Sequence, residues 1–195
     1  MKKRLIVGLT GSFGSGKSTV GRILKQLGAR RVIDGDRLAH EVFRPAHPVG
    51  RRIKRLFHIQ GAFNRKEIAK QVFSDSRKRR QLEALIHPYV FQRIRSELKR
   101  AKHGIVVLEI PLLFETGFDR LCDLTISVFA REQLVVKRLA GRGYRPREVR
   151  ARLKSQLSAS EKRKRSDLYI ENTGSKRTLI QKTKSTWNQL KLNQK

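Results

Sequence analysis

Gly11-Ser-Phe-Gly-Ser-Gly-Lys-Ser18 carries the spacing G-x-x-x-x-G-K-S/T in full. Each residue type in it has a physical task if the partner is a row of phosphates. Glycines at Gly11, Gly14 and Gly16 let the backbone take left-handed angles and turn its N–H groups inward as an anion nest, with Ser15 between them. The run that starts at Lys17 and Thr19 has helical pattern, so a helix N-terminus adds partial positive charge beneath the nest. Lys17 is a compact point charge able to bridge β- and γ-phosphates, and the Ser18 hydroxyl is a hard oxygen ligand for Mg2+. This motif predicts nucleotide binding without choosing the reaction that follows.

A second constellation is Val32-Ile33-Asp34-Gly35-Asp36, two carboxylates at the end of a short aliphatic block. At the carboxyl edge of an open α/β sheet, where ligands sit, one acid can take or orient the proton of an attacking hydroxyl while the other supports metal-bound water. Asp-Gly-Asp is equally good turn and helix-capping chemistry. The spacing alone leaves both readings open.

These residues need elements to position them. Five aliphatic or β-branched blocks stand out, around Leu5–Leu9, Arg31–Ile33, Ile105–Leu108, Leu124–Phe129 and Leu168–Ile170. Three are near-continuous apolar runs, which suits strands of a parallel sheet covered on both faces. Val20, Ile23, Leu24 and Leu27 share one helical face that ends at Gly28, and Leu134, Val135, Arg138 and Leu139 form a similar stripe before Gly141. Strand–helix alternation of this kind predicts an α/β doubly wound fold with right-handed crossovers. Roughly 70 residues between the second and third strands show no convincing strand and are too long for a simple crossover. They read as successive helices separated at Pro45, Pro48, Gly61 and Pro88, an insertion over about residues 38–103 within a single domain whose core spans 1–37 and 104–195. From Ser175 onward, Leu179, Ile180, Thr183, Trp187 and Leu190 fit one amphipathic helix packed on the core.

Composition bounds the rest. The chain has 195 residues, 38% hydrophobic and 32% charged, with 46 Lys and Arg against 16 Asp and Glu and a net charge of +30. One cysteine, Cys122, excludes an internal disulfide framework and fits a reducing compartment. Glycines interrupt the apolar run after the basic start too early for a secretory signal, and the stretch from Ile105 to Phe114 is too short and too polar to span a bilayer. The expectation is a soluble cytoplasmic protein with anionic partners and no membrane association.

The order of several blocks is more specific than any one of them. LTGSFGSGKSTV, VIDGDRLAHEVF followed by Pro45, LIHPYV, LEIPLLFETGF and SDLYIENTGS together resemble the dephospho-CoA kinase family, in family order and across residues 5 to about 180. The resemblance implies a three-layer P-loop NTPase fold: a five-stranded parallel sheet with a helical substrate-binding insertion and a lid at about 138–160. It implies ATP and Mg2+, and transfer of the ATP γ-phosphate to the ribose 3′-hydroxyl of dephospho-CoA. Residue by residue, it makes Asp36 the base near that hydroxyl with Asp34 beside it. His87 would lie on the substrate side of the insertion, and Pro111, Leu112 and Glu115 would line the acceptor site. Arg138 and Arg142 fall in the basic lid segment that reaches the transferring phosphoryl group, and Asn172 and Gly174 in the loop near the ATP base. Lys17, Arg138, Arg142 and Asp36 are thus the catalytic set, and Gly11, Gly14, Ser15, Gly16, Lys17, Ser18, Thr19, Asn172 and Gly174 the ATP set, with Ser18 on the metal. The acid before PLLFE is commonly aspartate in the family and is Glu109 here; Gly11-Ser12-Phe13 stands where many relatives carry Gly-Gly-Ile.

A charge of +30 exceeds what a polyanionic substrate demands. Arg77-Lys-Arg-Arg80 and Lys162-Arg-Lys-Arg165 read most simply as solvated helix faces. A nucleic-acid-binding protein would use them against phosphates, but the chain has only 7% aromatic residues for stacking and no DNA-reading motif. Nucleic acid is expected only as an incidental electrostatic partner. Another nucleoside or nucleotide kinase of the same architecture is the rival among enzymes.

Overall fold

Leu5–Leu9 is apolar at every position because both of its faces are covered, and the same holds for Ile105–Leu108, whereas Leu124–Phe129 also buries Thr125 and Ser127. In the computed structural model, which describes residues 3–44 and 46–194 apart from the side chains of residues 65, 66, 73 and 74, these blocks become five strands. Pro45, one of the expected separators, lies outside the described residues. The strands are β1 (Arg4–Gly11), β2 (Arg31–Asp34), β3 (Gly104–Glu109), β4 (Leu124–Phe129) and β5 (Leu168–Glu171). Their order is β2-β3-β1-β4-β5, and every neighbouring pair is parallel. From β1 the chain crosses to the edge strand β2, returns to β3 beside β1 and then passes over β1 to β4 and β5. The connections leaving β1 and β3 thus run in opposite directions, and the crevice at their carboxyl ends is where such sheets bind ligands.

Alternation along the strands sorts the core. Leu5, Val7 and Leu9 pack with Ile105, Val107, Ile126 and Val128 against Val20, Ile23 and Leu24 of α1 (Lys17–Gln26). Leu179, Trp187 and Leu190 of the C-terminal helix complete that layer. The intervening residues Ile6, Val106 and Leu108 turn the other way and are also buried.

The chain divides into two compact units, Met1–Asp34 with Leu98–Lys195, and Gly35–Glu97. The second unit is helical: α2 (Gly35–Glu41), α3 (Pro48–Leu56), α4 (Arg65–Ser74) and most of α5 (Ser76–Arg100). It has its own core, in which Val42, Ile53, Phe57 and Ile68 are buried among Phe43, Phe63, Leu82, Leu85, Ile86 and Tyr89. The His47 ring accepts from Val49 N at 3.2 Å and caps α3, with Pro48 in its first turn. Pro88 does not separate helices as the sequence suggests. It lies inside α5. Proline removes one donor from a helix and crowds the carbonyl four residues back. Here Leu82, Leu85, Ile86 and Tyr89 are packed into the unit's core and Val90 and Ile94 are buried, so tertiary packing carries the helix through.

After β4 the first unit continues through α6 (Glu132–Ala140), α7 (Pro146–Lys154) and α8 (Ala159–Arg165), and ends with α9 (Lys176–Leu192) after β5. α6 and α7 share a small cluster in which Val135, Leu139 and Val149 pack with Phe13 and Tyr144.

Candidate active site

The loop between β1 and α1 is held from three sides. Ser15 N donates to Ser12 O at 3.0 Å, closing the turn, and Gly16 sits at the helix N-cap with φ 100°, a left-handed angle that favours glycine. A Cβ at Gly16 would collide with the Asn172 side-chain amide. That amide donates to Ser15 O at 2.8 Å, tying the end of β5 to the loop. Asn172 is buried, and its own N–H donates to Phe129 O at 2.7 Å. Arg138 of α6 completes the knot, donating to Asn172 O at 3.1 Å and to Asn172 Oδ1 at 3.3 Å. Gly174 lies just beyond, exposed. The Ser15 hydroxyl is buried without a hydrogen-bond partner.

Behind the loop, Lys17 Nζ donates to Glu109 Oε1 at 2.8 Å and Ser18 Oγ donates to the same oxygen at 2.5 Å. Glu109 ends β3 and is only 5% exposed. α1 admits its carboxylate because residue 21 is glycine: a Cβ there would stand 2.6 Å from Glu109 Oε2. Sequence reading noted Glu109 only as a departure from aspartate. The available signal was an acid closing a strand beside a phosphate loop. Among the described residues no group of three or more His, Cys, Asp or Glu side chains could hold a metal ion. Magnesium characteristically takes few protein ligands besides waters and substrate phosphates. The Ser18 hydroxyl and the Glu109 carboxylate are hard oxygens side by side, so the donor set fits it.

Asp34 ends β2 opposite Glu109 in the β2–β3 register and is exposed. Asp36 is exposed in the first turn of α2, in the helical unit, where a negative charge complements the helix dipole. His87 is half-buried in α5; burial pushes its pKa down, and Glu83 partly opposes this. Arg142 is exposed in the turn after α6.

The segment after β3 is anchored at both ends. Pro111 O accepts from Thr10 Oγ1 at 3.0 Å and from the Lys162 ammonium. Glu115 Oε1 accepts from Leu157 N at 2.9 Å and pairs with Lys162 Nζ at 3.0 Å. Lys162 is therefore no part of a solvated face. Its side chain is 1% exposed, whereas Arg163, Lys164 and Arg165 are exposed. The same stretch reaches the phosphate loop: Phe13 N donates to Gln156 Oε1 at 3.2 Å, and the Arg152 guanidinium lies 4.8 Å from the Phe13 ring centroid. Gln156 and Arg152 carried no local signal, and the basic run that Lys162 heads pointed to solvent.

A phosphate loop between the central strand and its helix, with an acid from the neighbouring strand against the loop lysine and serine, is the arrangement of the P-loop nucleotide-binding proteins. The sequence matches the dephospho-CoA kinase family over residues 5–178. A dephospho-CoA kinase of Symbiobacterium thermophilum is 40% identical over 179 residues, 87% of this chain and 74% of that protein. A crystal structure from Thermus thermophilus superposes with a TM-score of 0.84 at 38% identity, covering 97% of this chain and 99% of that one. The dephospho-CoA kinase of Campylobacter jejuni gives a TM-score of 0.66 at 28% identity, covering 97% and 98%. This chain belongs to the dephospho-CoA kinase family.

Proposed function

We propose that this chain transfers the γ-phosphate of ATP to the ribose 3′-hydroxyl of dephospho-CoA, yielding ADP and coenzyme A, with Mg2+ as cofactor. The observation that carries the reading is the Lys17–Glu109–Ser18 cluster at the carboxyl edge of the sheet, in a chain whose family is known. Phosphoryl transfer passes through a loose transition state, so it needs positioning and charge more than covalent chemistry by the protein. The loop amides and Lys17 bind the phosphates and neutralise charge growing on the transferring oxygens. Thr19, in the first turn of α1, belongs to the same nucleotide site. Ser18 and Glu109 would hold the Mg2+, which would supply further charge neutralisation. Asp36 orients the 3′-hydroxyl and takes its proton as the new O–P bond forms and the bond to the β-phosphate oxygen breaks; Asp34 supports it. Arg138 and Arg142 serve the phosphoryl group from the lid, Asn172 and Gly174 flank the ATP base, and His87, Pro111, Leu112 and Glu115 serve the acceptor.

No described helix is long and apolar enough to cross a membrane. The cytoplasm is the proposed location, and nucleic acid an incidental electrostatic partner. The test is mass spectrometry of products from ATP, Mg2+ and a panel of acceptors. One phosphate added to dephospho-CoA, faster than to adenosine or a nucleoside monophosphate, is the expected result. Purified, folded protein that forms no such product refutes the reading.

A further inference from the structure

Among the described residues Lys162 is the largest fully buried side chain, and it is a charged one. Desolvation pushes its pKa down, the Glu115 carboxylate opposes that, and the nearby Lys17 ammonium adds to the depression. A buried ion pair is weak evidence of a stabilising role, because well-packed apolar residues of similar volume often do as well or better. What an apolar pair cannot supply is direction. Lys162 donates to two acceptors at the two ends of one five-residue segment, the Pro111 carbonyl and the Glu115 carboxylate. Between them Leu113 is fully buried, and the turn behind it is closed by Thr116 N to Leu112 O and Phe118 N to Leu113 O, both at 3.0 Å.

Both anchors also touch the phosphate-binding side. Pro111 O shares its second lone pair with Thr10, the residue before Gly11, and Glu115 accepts from Leu157, the neighbour of the Gln156 that holds Phe13 N. One ammonium thus joins the segment after β3 to the stretch that rests on the phosphate loop.

We propose that Lys162 is a positioning residue for the acceptor: it clamps Pro111–Glu115 in register with the phosphate loop, acting through Glu115 and the Pro111 carbonyl without touching substrate. This rests on the reading of Pro111–Glu115 as an acceptor wall. Glu115 then serves as an anchor for Lys162 more than as a ligand of dephospho-CoA.

The experiment compares wild type, Lys162→Met and the double variant Lys162→Met/Glu115→Met by steady-state kinetics, thermal melting and amide hydrogen exchange of the free protein. Lys162→Met leaves Glu115 without its cation and should melt lower. The double variant removes both charges and should recover most of that loss. In both, KM for dephospho-CoA should rise about tenfold while KM for ATP stays within about twofold. Amides from Leu113 to Phe118 should exchange about tenfold faster, with the phosphate loop unchanged. Should Lys162→Met not fold, the double variant alone decides. Wild-type acceptor KM and wild-type exchange in the double variant overturn the proposal, as does an equal rise in both KM values. Exchange is read without substrate, so a wild-type chain inert toward dephospho-CoA refutes the functional reading, while exchange still decides whether Lys162 holds the segment.

Discussion

Glu109 holds the Lys17 ammonium at 2.8 Å, from a position 92 residues further along the chain. The cation proposed to meet nucleotide phosphates is tethered to the sheet edge by a carboxylate that also takes the Ser18 hydroxyl. Both partners are largely shielded, with side-chain exposures of 11% and 7%, so the pair is screened far less than a surface salt bridge. Its place at the end of β3, in register with Leu9 of β1 and Asp34 of β2, makes it the organising centre of the phosphate-binding edge.

Glu109→Gln keeps the size and an acceptor oxygen but loses the charge. Turnover should fall at least about tenfold, and the Mg2+ concentration for half-maximal rate should rise. Glu109→Asp keeps the charge on a shorter stem and should retain more activity. Magnesium titrations of the three proteins check this; superimposable curves would show that the carboxylate does not serve the metal.

Lys17→Ala should leave less than about a tenth of wild-type turnover, since the lysine contributes several kcal/mol of charge stabilisation in this chemistry. It also leaves the buried Glu109 carboxylate with Ser18 as donor but without its cation, which should cost about 1–3 kcal/mol of stability. Product assays and chemical denaturation measure the two effects separately.

The phosphate loop and the five strands were legible in the sequence because both are local signals: fixed spacing in one case, runs of aliphatic residues in the other. The residues that hold the loop were not. Asn172 reaches Ser15 across 157 positions, and Gly21 is an ordinary helix glycine until β3 brings Glu109 against it. Lys162 was misread because it heads a run of four basic residues, and only the seating of α8 against β1 and β4 separates its inward direction from the outward one of its neighbours. Pro88 was misread as punctuation for a similar reason, since a local helix-breaking tendency lost to the apolar side chains on either side of it.

Asn172→Ala removes the donor to Ser15 O and the acceptor for Arg138 in a buried setting. The loss should be about 1–3 kcal/mol in stability, from backbone and guanidinium groups left unpaired. A looser phosphate loop should raise KM for ATP severalfold with little change in KM for the acceptor. Denaturant melts and initial-rate kinetics test both parts; an acceptor-selective effect would place Asn172 elsewhere in function.

His87 gives the fold a pH dependence of defined sign. Burial depresses its pKa below the ordinary histidine value of 6.5, so the unfolded chain binds the proton more readily than the folded one. Stability is then fully present above that ordinary value and is lost as pH falls through the folded pKa. The melting temperature should drop between about pH 7.5 and pH 5.5, and the drop should be smaller in His87→Gln, which cannot take the proton. Equal drops in both proteins would assign the acid sensitivity to other groups.

Asp36→Asn should lower turnover far more than it weakens ATP binding. Asp36 is exposed in the first turn of α2, two residues beyond the end of β2, and is the residue proposed as the base. Asparagine keeps the size and still hydrogen-bonds, but it cannot accept the hydroxyl proton or hold negative charge near the acceptor. Loss of a group that acts only in the transition state reduces turnover and leaves substrate affinities close to wild type. Asp34→Asn is the internal control. Its carboxylate stands opposite Glu109 in the strand register, so its loss should alter the Mg2+ dependence more than the proton transfer. Steady-state kinetics with nucleotide affinity measured by calorimetry separates the two. A dead Asp34→Asn beside a near-wild-type Asp36→Asn reverses the roles. Full activity in both leaves the pair as turn and helix-start chemistry, with the hydroxyl proton passing directly to phosphate or water.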